Sequence, residues 1–373
     1  MGNSILGKRE VVTVLVTGAG SPGAPGVMRS LRVASSAGAA GATRVRIIGM
    51  DMKDSPVARQ LADAFYVVPA ATDSGFIVRL VDICQQERVD VVLPMVSAEL
   101  MVLAKNRDVL ERSGYRVSVS PPDALALAIN KARLYRFLSR EGVGVPEFRV
   151  VNTADDLLSA IHNLGYPSAP VCFKPIIGDG SRGFHVLDSH RKSAAHLFTE
   201  KPNSAYLSYS ELTMALRGVR AIPSLLVMEY LPGEEYSVDL LANHGQILIS
   251  IPRLREATVG GITTQGMVPE KASVSDVVEC ATSVTQRLGL HGNIGVQVRR
   301  DGMGRVKVIE VNPRLQGTVV HCTGAGVNLP YLAVKLALGM PILDDELRVR
   351  WGTRLTRYWT EVFSDADGHP YVL

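Results

Sequence analysis

Cysteine is scarce in this chain and scattered where it occurs. Four cysteines fall among 373 residues, at Cys84, Cys172, Cys280 and Cys322, with no C-x-x-C spacing. That pattern excludes a disulfide framework and a thiolate zinc site, and it fits reduced thiols. Aromatic residues make up only 6%, and 40 Lys and Arg nearly balance 36 Asp and Glu, for a net charge of +4. With no basic block, a nucleic-acid partner is not indicated, although the slight positive excess suits anionic small molecules. The apolar stretches are strand-sized and cut by charges, so no membrane-crossing helix is expected. The opening MGNSILGKRE lacks the apolar core of a secretion signal. A soluble, cytoplasmic protein is expected. What the chain does have is hydrophobic bulk: 46% of its residues, enough to fill the cores of two or three domains.

The first part of the chain alternates strand-like and helix-like segments. Strands are expected at 11–16, 44–50, 64–69, 89–95 and 115–120, with helices at 26–35, 76–87 and 98–112. Short β-rich runs spaced by helices indicate a doubly wound parallel sheet, an α/β Rossmann-like domain over 10–122. SPPD (120–123) breaks the pattern as a domain boundary would. Beyond it lie a helix stopped at Gly142 and then β-strands in pairs: 170–174 with 184–187, 224–230 with 235–242 and 246–251, and 293–299 with 305–311. Helices 274–289 and 328–338 are interspersed, so the second part reads as α+β. The polar stretch 198–219 reads as an insertion or flap, and 354–363 as a strand whose aromatics pack a sheet or a subunit contact.

Residues 17–26, TGAGSPGAPG, contain a literal G-x-G-x-x-G at Gly18, Gly20 and Gly23. The pattern is shared by NAD-binding turns and by any tight strand-to-helix turn. Pro22 and Pro25 remove two backbone donors that a pyrophosphate would use. Asp51 sits where a ribose-binding acid would, and is equally a strand-end acid. Both an NAD-linked oxidoreductase and a plain structural turn stay open on this motif alone.

Three other stretches carry the chemistry. CFKPIIGDGSRGFHVL (172–187) runs from a strand ending at Lys174-Pro175 into a loop with Gly178, Gly180, Ser181 and Gly183. Such a loop lets backbone N–H groups converge on an anion; it is not a Walker A loop, because no G-K-[ST] follows. A flexible hairpin with a surface lysine is the bland alternative. GNIGVQVRRDGMGRVKVIEVNPRLQG (292–317) reads as a hairpin. A four-residue loop 302–305 places Asp301 opposite Val306 and Gln297 opposite Glu310, with Asn312 on the face of Glu310. Three oxygen ligands without thiols suit Mg²⁺, and Arg314 just beyond can hold a phosphoryl oxygen. A hairpin with a polar outer face is the alternative here. LLVMEYLPGEEYSVDLL (225–241) looks like a crossover between two lobes.

These pieces in this order, preceded by Lys131 on a helix, resemble the ATP-grasp superfamily. The likeness is nearest to single-module relatives of the carbamoyl-phosphate synthase large subunit and to other carboxylate–amine ligases, and it covers nearly the whole chain. It implies a pre-ATP-grasp α/β domain at 10–122 and a two-lobed α+β ATP-grasp module at 123–340. Within the module a small lid lobe would cover 145–224 and a C-terminal lobe 225–340, with a tail at 341–373. It further implies that Lys131 and Lys174 contact ATP phosphates and that the loop of Gly178, Gly180, Ser181 and Gly183 folds over them. Glu229, Tyr230 and Leu231 would read the adenine, and Glu235 the ribose. Glu310 and Asn312 would bind Mg²⁺, with Gln297 where many relatives carry an acid. Arg314, Lys174 and Asn312 would act in catalysis.

The implied reaction joins a carboxylate and an amine through an acyl phosphate, on amino-acid-like small molecules, with a homodimer as the family-level expectation. Arg253 and Arg255 alternate on a strand end and can face one cleft to hold a carboxylate; two solvated arginines are the alternative. Arg314, Gln316 and Gly317 would lie near the reacting carboxylate. No general base stands out among His185, His291 and His321, of which His321 has the best position. A non-catalytic nucleotide-binding protein, a carboxykinase and a biotin-type carboxylase remain as other readings.

Overall fold

The computed structural model describes residues 10–36, 43–178, 180, 182–190 and 205–373. Part of the 198–219 stretch lies outside them. The chain divides into two compact units. The larger holds Met1–Ala126, Tyr236–Gln297 and Val311–Leu373; the smaller holds Leu127–Glu235 and Val298–Glu310.

The larger unit opens with β1 (Val11–Thr17), α1 (Ala24–Ser36), β2 (Arg44–Asp51), α2 (Pro56–Leu61) and β3 (Ala64–Val67). It continues through α3 (Phe76–Glu87), β4 (Val91–Pro94), α4 (Ser97–Lys105), α5 (Arg107–Arg112) and β5 (Arg116–Val117). The five strands form one sheet in the order β3-β2-β1-β4-β5, with all pairings parallel. This is the expected doubly wound sheet. Its central strand is buried at every position after Val11, which is why VVTVLV is an unbroken apolar run. The expected helix 98–112 is instead two, broken at Asn106, whose side chain bonds back to the Val102 carbonyl (2.8 Å). Local side-chain bonding of this kind competes with helix continuation.

After α6 (Pro122–Ala128), the smaller unit builds α7 (Lys131–Arg140), β6 (Phe148–Thr153), α8 (Ala154–Asn163), β7 (Val171–Pro175), β8 (His185–Leu187), α9 (Tyr209–Ala215) and β9 (Ala221–Glu229). Its sheet order is β6-β9-β7-β8. The expected pairing of 224–230 with 235–242 is therefore corrected: β9 lies between β6 and β7. Pro232 and Gly233 end the strand, and the chain passes into another sheet.

That sheet comprises β10 (Glu235–Asn243), β11 (Gln246–Val259), β12 (Ile262–Met267), β13 (Gly292–Arg300), β14 (Val306–Asn312) and β15 (Arg354–Thr356), in the order β14-β13-β10-β11-β12-β15. α10 (Ser275–Arg287), α11 (Val320–Gly324) and α12 (Leu329–Ala337) accompany it. The tail ends in a small hairpin, β16 (Phe363–Ser364) with β17 (Pro370–Tyr371). Tyr358 and Trp359 are 86% and 88% exposed, so these aromatics pack no sheet. The β13–β14 turn is also tighter than expected. Asp301 N–H donates to the Arg305 carbonyl (2.9 Å) and Gly304 N–H to the Asp301 carbonyl (3.0 Å). The loop is thus 302–304, with Gly304 at φ +79°, the αL residue of a three-residue hairpin. Asp301 faces Arg305, not Val306, and the register that set Gln297 opposite Glu310 loses its premise.

One core joins the parallel sheet to the later strands and helices of the larger unit, packing Val14, Met28 and Leu93 with Leu241, Ile251, Leu315 and Leu332. The glycines of the N-terminal turn serve this packing. A Cβ on Gly23 would lie 2.6 Å from Gly317 Cα, and one on Gly26 3.0 Å from the Val320 side chain. Gly20 N–H is bonded to Asp51 (2.9 Å). The motif is consumed by turn and contact, which removes the basis for an NAD reading. Gly23→Ala is expected to lower the urea midpoint of the larger unit, at a cost of about 1–3 kcal/mol, since two backbones would have to part. Gly324→Ala, where a Cβ meets nothing within 4 Å, should leave the midpoint unchanged or raise it slightly.

Candidate functional site

In the smaller unit two lysines are held buried on carbonyl oxygens. Asn130 caps α7 by accepting from Arg133 N–H (3.0 Å), so Lys131 is the first helical residue. Its own N–H donates to the Ile176 carbonyl (2.9 Å) and its Nζ to that of Gly178 (2.7 Å), stitching the helix start to the glycine loop. Lys174 lies on β7, and its Nζ donates to the Ile309 carbonyl (3.0 Å). Lys131 and Lys174 are 5% and 9% exposed. Glu310 is the acid at hand, 3.8 Å from Lys131 Nζ. Burial pulls the Lys174 ammonium below its ordinary range; Glu310 opposes this and Lys131 adds to it. Glu235 also acts on Lys174 in the same sense as Glu310, and two buried cations whose own hydrogen bonds end on neutral carbonyls suit an anionic ligand.

Gly180 and Gly183 sit at φ +66° and +70°, conformations glycine adopts without cost. Ser181 lies outside the described residues. At the end of β9, Glu229 accepts from Glu147 N–H (2.9 Å) and from Lys307 Nζ (2.8 Å). Tyr230 carries the Arg299 guanidinium over its ring (5.0 Å), and Leu231 is buried. Glu235 lies 3.9 Å from Arg299. Within the smaller unit Lys131 and Lys174 gather at Ile309 and Glu310, while Glu229 is bonded separately to Lys307 and Glu147. Lys307 was not foreseen; its alternation with Glu310 along β14 gives no sign that it pairs with Glu229.

The larger unit carries the segment after Glu310. Asn312 accepts from Arg314 Nη2 (3.1 Å), while Arg314 Nε donates to Ser97 (3.1 Å) and Nη1 to the Leu315 carbonyl (3.0 Å). Gln316 is 5% exposed and packs so tightly on Gly295 that a Cβ there would lie 2.1 Å from its amide. Gly317 offers its carbonyl to Arg357 Nη2 (2.6 Å). Gln297 is half-buried on β13. Arg253 is fully buried and bonded to Asp239, whereas Arg255 donates to Thr263 (3.1 Å) and to the Gly261 carbonyl (2.5 Å). The two arginines therefore meet different partners. Glu310 of the smaller unit carries a carboxylate and Asn312 of the larger an amide oxygen, each a hard donor of the kind Mg²⁺ takes.

One acid escaped the sequence reading. Glu99, in the first turn of α4, is 7% exposed and accepts from the Thr17 hydroxyl at the end of β1. Burial pushes its carboxyl up to about 7; the Thr17 bond lowers it, and the nearby Asp51 raises it further. Both residues lie at the C-terminal ends of the central strands, where open parallel sheets place ligands. Its only sequence signal is its place just after a strand, in SAEL.

Comparisons with known proteins find two similar families along the chain. Residues 221–358 match the family described as ATP-grasp in the biosynthetic pathway with Ter operon, and residues 27–118 the PylC-like N-terminal domain. The chain is 22% identical over 293 residues to the arginine-specific carbamoyl phosphate synthase large chain of Bacillus subtilis, an alignment covering 76% of this chain and 26% of that one. It therefore spans about a quarter of that relative's length. It is 27% identical over 321 residues to a formate-dependent phosphoribosylglycinamide formyltransferase of Ignicoccus hospitalis, covering 81% and 72%. Among solved structures, an L-amino acid ligase from Bacillus licheniformis superposes with a TM-score of 0.64 at 17% identity, over 91% of this chain and 77% of that one. No helix among the described residues is long and apolar enough to cross a membrane.

The raised Glu99 carboxyl makes stability depend on pH. Its folded-state value of about 7 lies above the ordinary 4.5, so the protonated form favours the fold. That contribution is complete below pH 4.5 and is lost as pH rises through 7, to about 3 kcal/mol. Glu99→Gln should melt near the wild type at pH 5 and above it at pH 8.5; equal melting at both would place the carboxyl in the ordinary range.

Proposed function

We propose that this chain, whose residues 221–358 match an ATP-grasp family, is an ATP-dependent carboxylate–amine ligase acting on amino-acid-like small molecules. The observation that carries this reading is the pair of buried ammonium groups, Lys131 and Lys174, whose own hydrogen bonds end on main-chain carbonyls. Positive charge held by neutral acceptors suits the phosphates of a nucleotide better than a neutral or cationic ligand. In this reading Lys131, Lys174 and the Gly178–Gly183 loop hold the phosphates. Glu229, Tyr230, Leu231 and Glu235 hold the nucleoside, and Glu310 and Asn312 hold Mg²⁺, with Gln297 as a weaker, neutral member. When bound, Mg²⁺ would neutralise the phosphate oxygens during transfer.

The chemistry runs in two steps. A carboxylate oxygen attacks the γ-phosphorus of ATP and ADP leaves, giving an acyl phosphate. The amine then attacks the acyl carbon, and phosphate departs with the electron pair of the C–O bond. Protein groups position the reactants and balance charge, as phosphoryl transfer demands. Arg314, fixed by Ser97 and Asn312, presents a planar cation for the transferred group or the acyl oxygen. The carbamoyl phosphate synthase resemblance does not carry bicarbonate or ammonia across to this shorter chain; the ligase resemblance favours an amide product.

Phosphate release from Mg·ATP, screened against amino acids singly and in pairs, tests the reading. Release is expected to need two partners, with a product one water lighter than their sum. Lys174→Met, which keeps the side-chain volume, and Glu310→Ala should each lower turnover at least about 100-fold. Lys174→Met should also abolish the thermal shift given by ATP. Release that never requires a second partner would sink the ligase reading.

A further inference from the structure

The crossover 230–235, between β9 and β10, is pinned to the end of β13 by its main chain. Gly233 N–H donates to the Arg300 carbonyl (3.0 Å), and Arg300 N–H donates to the Glu234 carbonyl (3.0 Å). The approach is close. A Cβ on Gly233 would lie 2.7 Å from Arg300 Cβ and 2.8 Å from its carbonyl oxygen, so glycine supplies the room.

A single side chain adds a second set of bonds to the same crossover. Arg299, half-buried on β13, donates from Nε to the Gly233 carbonyl (3.0 Å) and from Nη2 to the Tyr230 hydroxyl (3.3 Å). Its guanidinium carbon lies 5.0 Å from the centre of the Tyr230 ring, within the range of a cation–π contact. Its Nη1 lies 3.9 Å from Glu235 Oε2. One planar cation therefore reaches both ends of the crossover and its middle. A rigid fork of five donors allows this, whereas an ammonium on a flexible stem does not.

The contact with Glu235 bears on the lysines. Burial lowers the Lys174 ammonium, and Glu235 is among the groups that oppose it, so this carboxylate lies within electrostatic reach of Lys174 as well as of Arg299. A carboxylate with two cations at hand can pair with either. Pairing with Lys174 would cancel the positive charge that a phosphate needs, whereas pairing with Arg299 leaves Lys174 on the Ile309 carbonyl. Arginine stays charged at any working pH, so the second arrangement persists.

We propose that Arg299 is a positioning residue for the nucleotide. It steadies the Tyr230 ring and holds the Glu235 carboxylate off Lys174, so that Glu235 accepts from the ribose hydroxyls and Lys174 keeps its charge for phosphate. The inference rests on the nucleotide site of the reading above. Arg299 acts through Tyr230 and Glu235, and it sets both affinity for the nucleotide and preference for a ribose over a deoxyribose.

Calorimetric titration of the full-length protein with Mg·ATP and with Mg·2′-deoxyATP tests this. The wild type is expected to bind ATP about 10-fold more tightly than 2′-deoxyATP, as one hydrogen bond to a charged acceptor implies. Arg299→Gln keeps a donor for Gly233 but loses the charge and the fork. It should weaken ATP about 10-fold or more and close the gap between the two nucleotides. Arg299→Lys returns a cation to Glu235 but cannot also stack on Tyr230 while bonding Gly233. It should keep the gap while binding both nucleotides less tightly than the wild type does. Without nucleotide both variants should melt near the wild type, because the main-chain bonds to Arg300 still hold the crossover. A merely structural role would weaken both nucleotides equally. Such equality in Arg299→Gln, no gap in the wild type, or unchanged ATP affinity in both variants would overturn the inference. Wild-type protein that binds neither nucleotide would bring down the nucleotide site itself, and this inference with it.

Discussion

The close approach of α1 to the segment 314–323 is the constraint on which the larger unit depends. Backbone lies against backbone at Gly23 and Gly317, and three residues further on along each segment the Val320 side chain fits against Gly26. Polar bonds close the seam: the Ser30 and Thr323 hydroxyls meet at 2.8 Å, and Asn328 donates to the Ser30 carbonyl at 2.6 Å. The functional stretch after Asn312 is therefore built on a rigid support, not on a free loop. Arg314 reaches Ser97 from it, Gln316 is wedged on Gly295, and His321 is fixed on Thr353. Preorganisation of this kind is what positioning chemistry requires.

Charge is distributed with equal economy. The buried cations hydrogen-bond mainly to neutral carbonyls or to one acid. Lys131 and Lys174 lean on the Gly178 and Ile309 carbonyls; Arg253 has Asp239. A carbonyl satisfies the donor without cancelling the charge, so the positive potential stays available to a ligand. Glu229 shows the opposite arrangement, already engaged by Lys307 and the Glu147 N–H, and so contributes shape and acceptor lone pairs more than net charge.

Much of the fold is legible in the sequence, and the failures are instructive. The helix at 76–87 was read to the residue, because its apolar spacing is uninterrupted and Arg88 ends it in the αL conformation. The parallel sheet followed from apolar runs between helices. The single helix over 98–112 failed because periodicity does not register a side chain that bonds its own backbone, as Asn106 does. The β13–β14 register failed by one residue because Asp-Gly-x-Gly fits both a four-residue loop and a three-residue loop closed by Gly304. Pairings between distant segments were out of reach altogether. Thr17 and Glu99 are 82 residues apart, and Arg253 meets Asp239 only through a register that contains an irregularity between Leu241 and Ala242. Local motif chemistry is thus readable, whereas the partners that tune it are set by tertiary contacts.

The division of the chain has a consequence for how the protein comes into being. The smaller unit is made of Leu127–Glu235 and Val298–Glu310, so Lys131 has no Glu310 and Glu229 no Lys307 until synthesis has passed residue 310. The larger unit waits longer, because α1 needs the residues from Gly317 to Asn328 to cover its glycine face. Neither unit can complete its core from a contiguous stretch emerging from the ribosome. Loop closure over such separations is slow and leaves apolar surface open meanwhile. The nascent protein must therefore hold α1 and the parallel sheet it covers in an unfinished state until residues 317–328 have been made.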